Sequence, residues 1–212
     1  MEEKIIGPRT SHKEFFLQHL KLELPEFAGI KEAAENDDIA LADKLFADAM
    51  RKTHRHIPKL KAVWEAEVAN MDEKAKAATT ARAKDAIDYK VISCGIPWHF
   101  KDHKIDWEFN PTYNGYEEWP WQLNRHPEFQ LLGSVYRKTG DEKYACAYAT
   151  LLRSWIESAE CPENISGYKT ITWRTIEAGI RMAKNWHAAI HAFFHSSCSR
   201  YIFMHVNSLL PT

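Results

Sequence analysis

The chain has 212 residues, enough for one domain or one and a half; at 45% hydrophobic and 27% charged it holds material for a real core, which excludes disorder throughout. Its formal charge is -1 and no run of Lys or Arg forms a phosphate-tracking patch, so no nucleic acid partner is expected. No segment approaches the ~18 apolar residues of a membrane span, and residues 1–16 lack the apolar stretch of a signal peptide, so no export address is expected in this chain, which as given reads as cytoplasmic.

Ser11 is suited to cap a helix over 11–24, with Phe15, Leu20, Leu22 and Leu24 apolar and Pro25 ending it. Asp37 or Asp38 caps a stronger helix over 37–56, where Ile39, Leu41, Leu45, Phe46 and Met50 recur at helical spacing. It stops at Ile57-Pro58 after a basic turn of His54, Arg55 and His56. Residues 59–88 continue as helix, with Leu60, Val63, Trp64 and Val68 on one side. The later part, 71–86, is rich in Ala and Lys but poor in large apolar groups, and is expected as exposed, linker-like helix. Residues 1–90 thus form a helical N-terminal arm.

From Val91 to Pro127 the helical period disappears among glycines, prolines and aromatics, and a long irregular segment is expected. Helices return at Pro127, which suits a first turn, with Phe129, Leu132, Val135 and Tyr136 as the stripe and Gly140 as the stop. Asp141 caps the next helix, through Tyr144, Tyr148, Leu151, Leu152, Trp155 and Ile156; the short connection makes the two antiparallel neighbours. After a loop over Pro162–Lys169, a last helix runs over 170–194 with Trp173, Ile176, Ile180, Trp186, Ile190 and Phe194 inward. Gly133 and Gly179 lie inside helices, where close helix packing is the expected reason for them. The pattern weakens after Cys198, and no repeat of fixed period emerges.

The chemistry-bearing stretch is the aromatic loop 98–126. Trp107, Asn110, Tyr113, Tyr116, Trp119, Trp121, Asn124, Arg125 and His126 crowd within twenty residues. A pyranose offers an apolar C–H face that an indole can cover and a rim of hydroxyls that Asn, Gln and Arg can satisfy. Arg125 could hold a uronic carboxylate or a sulfate through two parallel hydrogen bonds. The competing interpretation is that these aromatics plug helix ends as core.

The run from Trp107 through Asn110-Pro111 to Trp119-Pro120-Trp121-Gln122-Leu123-Asn124-Arg125-His126 is followed by Thr139-Gly140-Asp141-Glu142-Lys143-Tyr144-Ala145 and by Trp173-Arg174-Thr175-Ile176-Glu177-Ala178-Gly179-Ile180-Arg181. In order and spacing these elements resemble the N-terminal domain of heparinase II/III-type polysaccharide lyases. The resemblance implies an all-α fold, an incomplete (α/α) toroid of antiparallel helical hairpins over 91–212. It also implies β-elimination on a uronic-acid glycan, so an acidic polysaccharide is the expected partner. The family's catalytic Asn, Tyr and His fall at positions beyond Thr212, so no catalytic residue is expected here, and a missing C-terminal lyase region is the other expected partner. In the heparinase III branch a His stands where this chain has Asn124, so only cleft-lining roles carry over, to Asn124 and Arg125 and more weakly to His126.

No cofactor motif is present. Cys94, Cys146, Cys161 and Cys198 fit neither a zinc nor a CxxC pattern and are expected as free thiols. His187, His191 and His195 share one helix face but lack a further ligand, so a polar flank is favoured over a metal site. Glu177 is spaced to pair with both Arg174 and Arg181. The alternative function is a non-enzymatic helical scaffold that binds a protein partner.

Overall fold

The computed structural model describes residues 11–53, 62, 65–66, 69–159 and 170–198. The Ile57-Pro58 stop, the basic turn before it, the stripe at 60–68, Cys161, the Pro162–Lys169 loop and the residues after Cys198 are expectations that fall outside the described residues, apart from isolated positions.

Ser11 caps α1 (His12–Glu14) in a reciprocal capping box with Glu14. The helix does not run to Pro25. It passes into a π-helical turn, Phe15–His19, and ends at Leu20, whose backbone is extended; Pro25 instead opens a 3-10 turn, Pro25–Phe27. The wider turn buries two consecutive phenylalanines, Phe15 and Phe16. With α2 (Ile30–Glu35) and α3 (Ile39–Thr53) they enclose a small core of Phe15, Phe16, Ile30 and Phe46 that docks on Phe194. Asp38 is the cap of α3, accepting from the Leu41 amide at 3.1 Å, and Leu41 itself is exposed.

The stretch expected as exposed linker is α4 (Glu73–Ile87), capped by Asp72, and it is not a linker: Ala83 and Ala86 are buried in the main core. It packs against α6 (Pro127–Thr139). Alanine gives a helix little apolar bulk but lets it lie close to its neighbour, so low hydrophobicity here marks contact rather than exposure.

The segment expected to be irregular opens with an antiparallel hairpin, β1 (Lys90–Ser93) and β2 (Ile96–His99), in the register Ser93↔Ile96. Its two-residue loop, Cys94-Gly95, holds both residues at positive φ, as a type I′ turn demands. Residues 100–117 are the true loop. The Trp119-Pro120-Trp121 run belongs to a helix, α5 (Glu118–Leu123).

Pro127 opens α6, and Gly140, at φ 64°, closes it by donating to the Tyr136 carbonyl. Asp141 caps α7 (Glu142–Ser158), so the α6–α7 hairpin forms as expected. The last helix starts later than expected, at α8 (Thr175–Ile180), runs through a π-helical stretch, Arg181–Trp186, and ends as α9 (His187–Phe193). Its buried line is Glu177, Arg181, Asn185, Trp186, Ala189 and Phe193, while Ile176 is 58% exposed. Trp186 and Phe194 are buried as the apolar stripe predicts, but in the first turns Glu177 and Arg181 take the interior places expected of Ile176 and Ile180. Apart from the hairpin the result is an all-α arc of antiparallel helical hairpins, the incomplete (α/α) toroid.

Candidate functional site

The loop–α5–α6 junction is built around the backbone of residues 124–126. Asn124 is wholly buried; its amide donates to the Trp107 and Pro120 carbonyls at 2.7 and 2.8 Å, and its oxygen accepts from the Trp155 indole at 2.8 Å. The Asn124 carbonyl accepts from Arg181, whose guanidinium lies over the Trp155 ring at 4.4 Å. The Arg125 carbonyl accepts from Asn185. His126 Nδ1 accepts from the Trp186 indole at 2.8 Å, and its ring stacks on Phe129. Four separate chain segments thus clamp three consecutive residues.

His126 pays a conformational cost within this clamp, adopting the left-handed region at φ 54°, uncommon for a non-glycine residue. Burial, reinforced by the Arg181 charge, holds its pKa well below the usual histidine value. With Nδ1 accepting, the single proton sits on Nε2, which has no hydrogen-bond partner among the described residues. A neutral imidazole in this place fixes geometry and carries no charge outward.

The clamp presents Arg125 at the surface, 23% exposed, bonded to Glu177 and to Glu118, each at 2.9 Å. Burial opposes its charge, but the bond to Glu177 and the charges of both carboxylates outweigh it and raise its pKa. Glu177 also pairs with Arg174 at 3.4 Å, and the Arg174 guanidinium covers the Trp121 ring at 3.5 Å. Trp121, Arg125, Arg174, Glu118 and Glu177 therefore form one partly exposed constellation. The spacing of Arg174 and Glu177 was legible, whereas the part of Glu118 depends on α5 being a helix.

The nine residues singled out in the sequence divide by depth. Trp107, Trp119, Asn124 and His126 are interior and face core partners, so the plug interpretation holds for these four positions. Trp121 and Arg125 are both half-buried and are linked through Arg174 and Glu177. Asn110 folds the loop, accepting from the Thr112 amide and hydroxyl and donating to the Tyr116 carbonyl. Tyr113 is fully exposed and Tyr116 half exposed on that loop.

A groove beside the hairpin was not foreseen. It has a volume of about 270 Å³ and is lined by Arg82, Lys90, Pro97, Trp98, His99 and Glu128. Burial pushes the Glu128 carboxyl up to about 7, against the pull of Arg82 at 3.7 Å. The volume sits just under the ~300 Å³ at which small-molecule sites begin, room for about one ring. An alternating strand ending in Trp98 behind a Cys-Gly turn was the available signal.

Among the described residues no group of His, Cys, Asp or Glu is placed to hold a metal ion. His187 and His195 are exposed, and His191 is half-buried. None of the described helices is long and apolar enough to cross a membrane.

The arc of helical hairpins and its clamped W-x-L-N-R-H element define a class, the N-terminal helical domains of polysaccharide lyases. The family model for the heparinase II/III N-terminus matches residues 16–209, and the chain belongs to that family. A heparin-sulfate lyase of Bacteroides thetaiotaomicron is 32% identical over 82 residues, 39% of this chain and 11% of that protein. One from Bacteroides stercoris is 42% identical over 53 residues, 25% of this chain and 8% of that protein. The crystal structure of a heparan sulfate lyase from Pedobacter heparinus matches 93% of this chain and 30% of its own at a TM-score of 0.70 and 23% identity. A heparinase III gene product with methylated lysines matches 95% and 33% at 0.70 and 22%. The chain thus spans about a third of the solved lyases it resembles, and the fold is what that likeness carries.

Proposed function

We propose that this chain is the carbohydrate-binding part of a heparinase II/III-like lyase acting on uronic-acid-containing glycans, and that it does not complete elimination by itself. The carrying observation is the constellation in which the Trp121 indole, the Arg125 fork and the Arg174 guanidinium share one partly exposed surface. An indole covers a sugar's C–H face, and guanidinium groups take carboxylates or sulfates bidentately. Glu118, a quarter exposed, occupies Arg125 in the free protein and is the group an incoming anion displaces. Asn124, His126, Trp107 and Trp119 act from behind as positioning residues, and Tyr113 and Tyr116 supply exposed contacts from the loop. β-Elimination needs negative charge on the uronate carboxyl stabilised and a base for the C5 proton. The Arg side chains supply the first; the neutral, buried His126 is not placed to supply the second. The partner that completes the reaction is proposed to be a region like the remaining two thirds of the solved lyases that this chain does not span.

Titration calorimetry with heparan sulfate and alginate oligosaccharides tests this. Binding is expected, with Trp121→Ala and Arg125→Lys each weakening it about tenfold at unchanged circular dichroism, the loss of one stacked ring or one bidentate contact. Equal affinity in both variants, or robust release of unsaturated product by this chain alone, sinks the reading.

A further inference from the structure

Cys146 on α7 and Cys198 after α9 lie with their sulfurs 2.7 Å apart, although 52 residues separate them in sequence. Two thiols at that range are inside ordinary sulfur contact and close to bonding distance; only a small closure separates them from a disulfide. The surroundings hold the pair in register. Glu142, one turn before Cys146, accepts from both the amide and the hydroxyl of Ser197, at 3.1 and 2.8 Å, and also from the Tyr136 hydroxyl. Cys146 is exposed, so a soluble oxidant reaches it. Cys94 sits apart, half-buried in the hairpin turn, its amide bonded to Gln122.

Cys146 and Cys198 are free thiols in the structure, as expected; we propose that on oxidation they form a disulfide that fastens the end of the last helix to α7. The oxidant is a small-molecule disulfide such as oxidised glutathione. One cysteine thiolate attacks it, forming a mixed disulfide and releasing one reduced thiol. The second cysteine thiolate then displaces the other half as a second reduced thiol. Two protons and two electrons leave the protein in total, and one S–S bond is gained. The neighbouring Cys198 thiol, together with burial, pushes the Cys146 pKa up to about 11. Exchange is therefore slow near neutral pH and faster in mild alkali. The bond would close a long loop and so favours the folded chain most where the compartment is oxidising.

The test uses the full chain, reduced under anaerobic conditions and then equilibrated at pH 8.5 with graded oxidised glutathione. Alkylation, peptide mapping and thermal melts follow. A cross-linked peptide pair containing Cys146 and Cys198 is expected, with Tm raised by roughly 5–10 °C and the rise reversed by dithiothreitol. Cys146→Ser and Cys198→Ser should each remove the shift while folding normally. Recovery of both cysteines as alkylated thiols or glutathione adducts, or pairing of either with Cys94 or Cys161, overturns the proposal.

Discussion

Where the arm packs, Phe15 meets Phe16 and Phe46 edge-on among Ile30 and alanines, and the interior is apolar with Asp43 the polar exception. Where α5 meets α6 the interior holds Asn124, His126, Glu177, Arg181 and Asn185, tied to carbonyls, indoles or guanidinium groups. The first kind of core tolerates re-packing, because one apolar contact substitutes for another. The second does not, because each lost partner strands a buried dipole. The polar core lies under Trp121 and Arg125, which suggests that its task is to hold a surface in one geometry rather than to add stability.

That contrast breaks most visibly in a matched pair of variants. Asn124→Ala strands the Trp107 carbonyl and the Trp155 indole N–H, while the Pro120 carbonyl keeps its bond from the backbone amide, and should cost about 4 kcal/mol. Phe16→Ala empties a site in the arm and should cost about 3 kcal/mol. Urea denaturation gives the stabilities, and glycan titration under folding conditions gives the separation. Affinity should collapse in Asn124→Ala and survive in Phe16→Ala. Retention of affinity in both would mean that the polar core does not position the surface.

A second test uses protons, because the polar core holds two groups of opposite sign. His126 stays neutral when folded well below the pH near 6.5 at which the unfolded residue protonates, so its contribution is lost as pH falls below about 6.5. Glu128 behaves in reverse. Its unfolded carboxyl ionises from about 4.5 and its folded one near 7, so stability is lost as pH rises between those values. The two slopes oppose each other between about pH 4.5 and 6.5. Glu128→Gln removes one of them. The variant should gain on the wild type progressively from pH 4.5 to 7, by about 3 kcal/mol at the upper end, and should show the His126 acid loss undiluted. A difference between the two proteins that stays constant with pH would show that Glu128 titrates normally.

The same contrast explains how much could be read from the sequence. The caps at Ser11, Asp38, Asp141 and Gly140 were legible because each is a local bond between a side chain or turn and a nearby amide or carbonyl. The surface half of the site, Trp121 and Arg125, was legible as chemistry. Its depth was not: Trp107 and Trp119 have the same composition signal as Trp121, and only their distant partners, Ser154 and Ile96, decide which are interior. The first turns of the last helix were misplaced by one residue for a related reason, while Trp186 and Phe194 lie inside as expected. Periodicity assumes that isoleucine goes in and glutamate out, whereas Glu177 is drawn in by Arg174 at the start of its own helix and by Arg125 from elsewhere in the chain. The hairpin was hidden because its turn is Cys-Gly rather than the commoner Asn-Gly.

The smallest effect concerns two glycines that look alike in the sequence and differ in space. A Cβ built at Gly133 would lie 3.0 Å from the Ala192 Cβ and 3.5 Å from the Ala189 Cα, so a side chain there requires α6 and α9 to part by a few tenths of an ångström. At Gly179 such a Cβ meets nothing within 4 Å, and close packing is not the reason for that glycine. Gly133→Ala sets overpacking against the helix propensity it gains, and should lose about 1 kcal/mol net. Gly179→Ala has only the propensity and the reduced unfolded-state entropy to register, and should gain about 0.5–1 kcal/mol. Paired thermal melts resolve the opposite signs. A stabilising Gly133→Ala would mean that the α6–α9 crossing can open by a few tenths of an ångström at little cost, which would place it with the forgiving apolar core instead of the polar one.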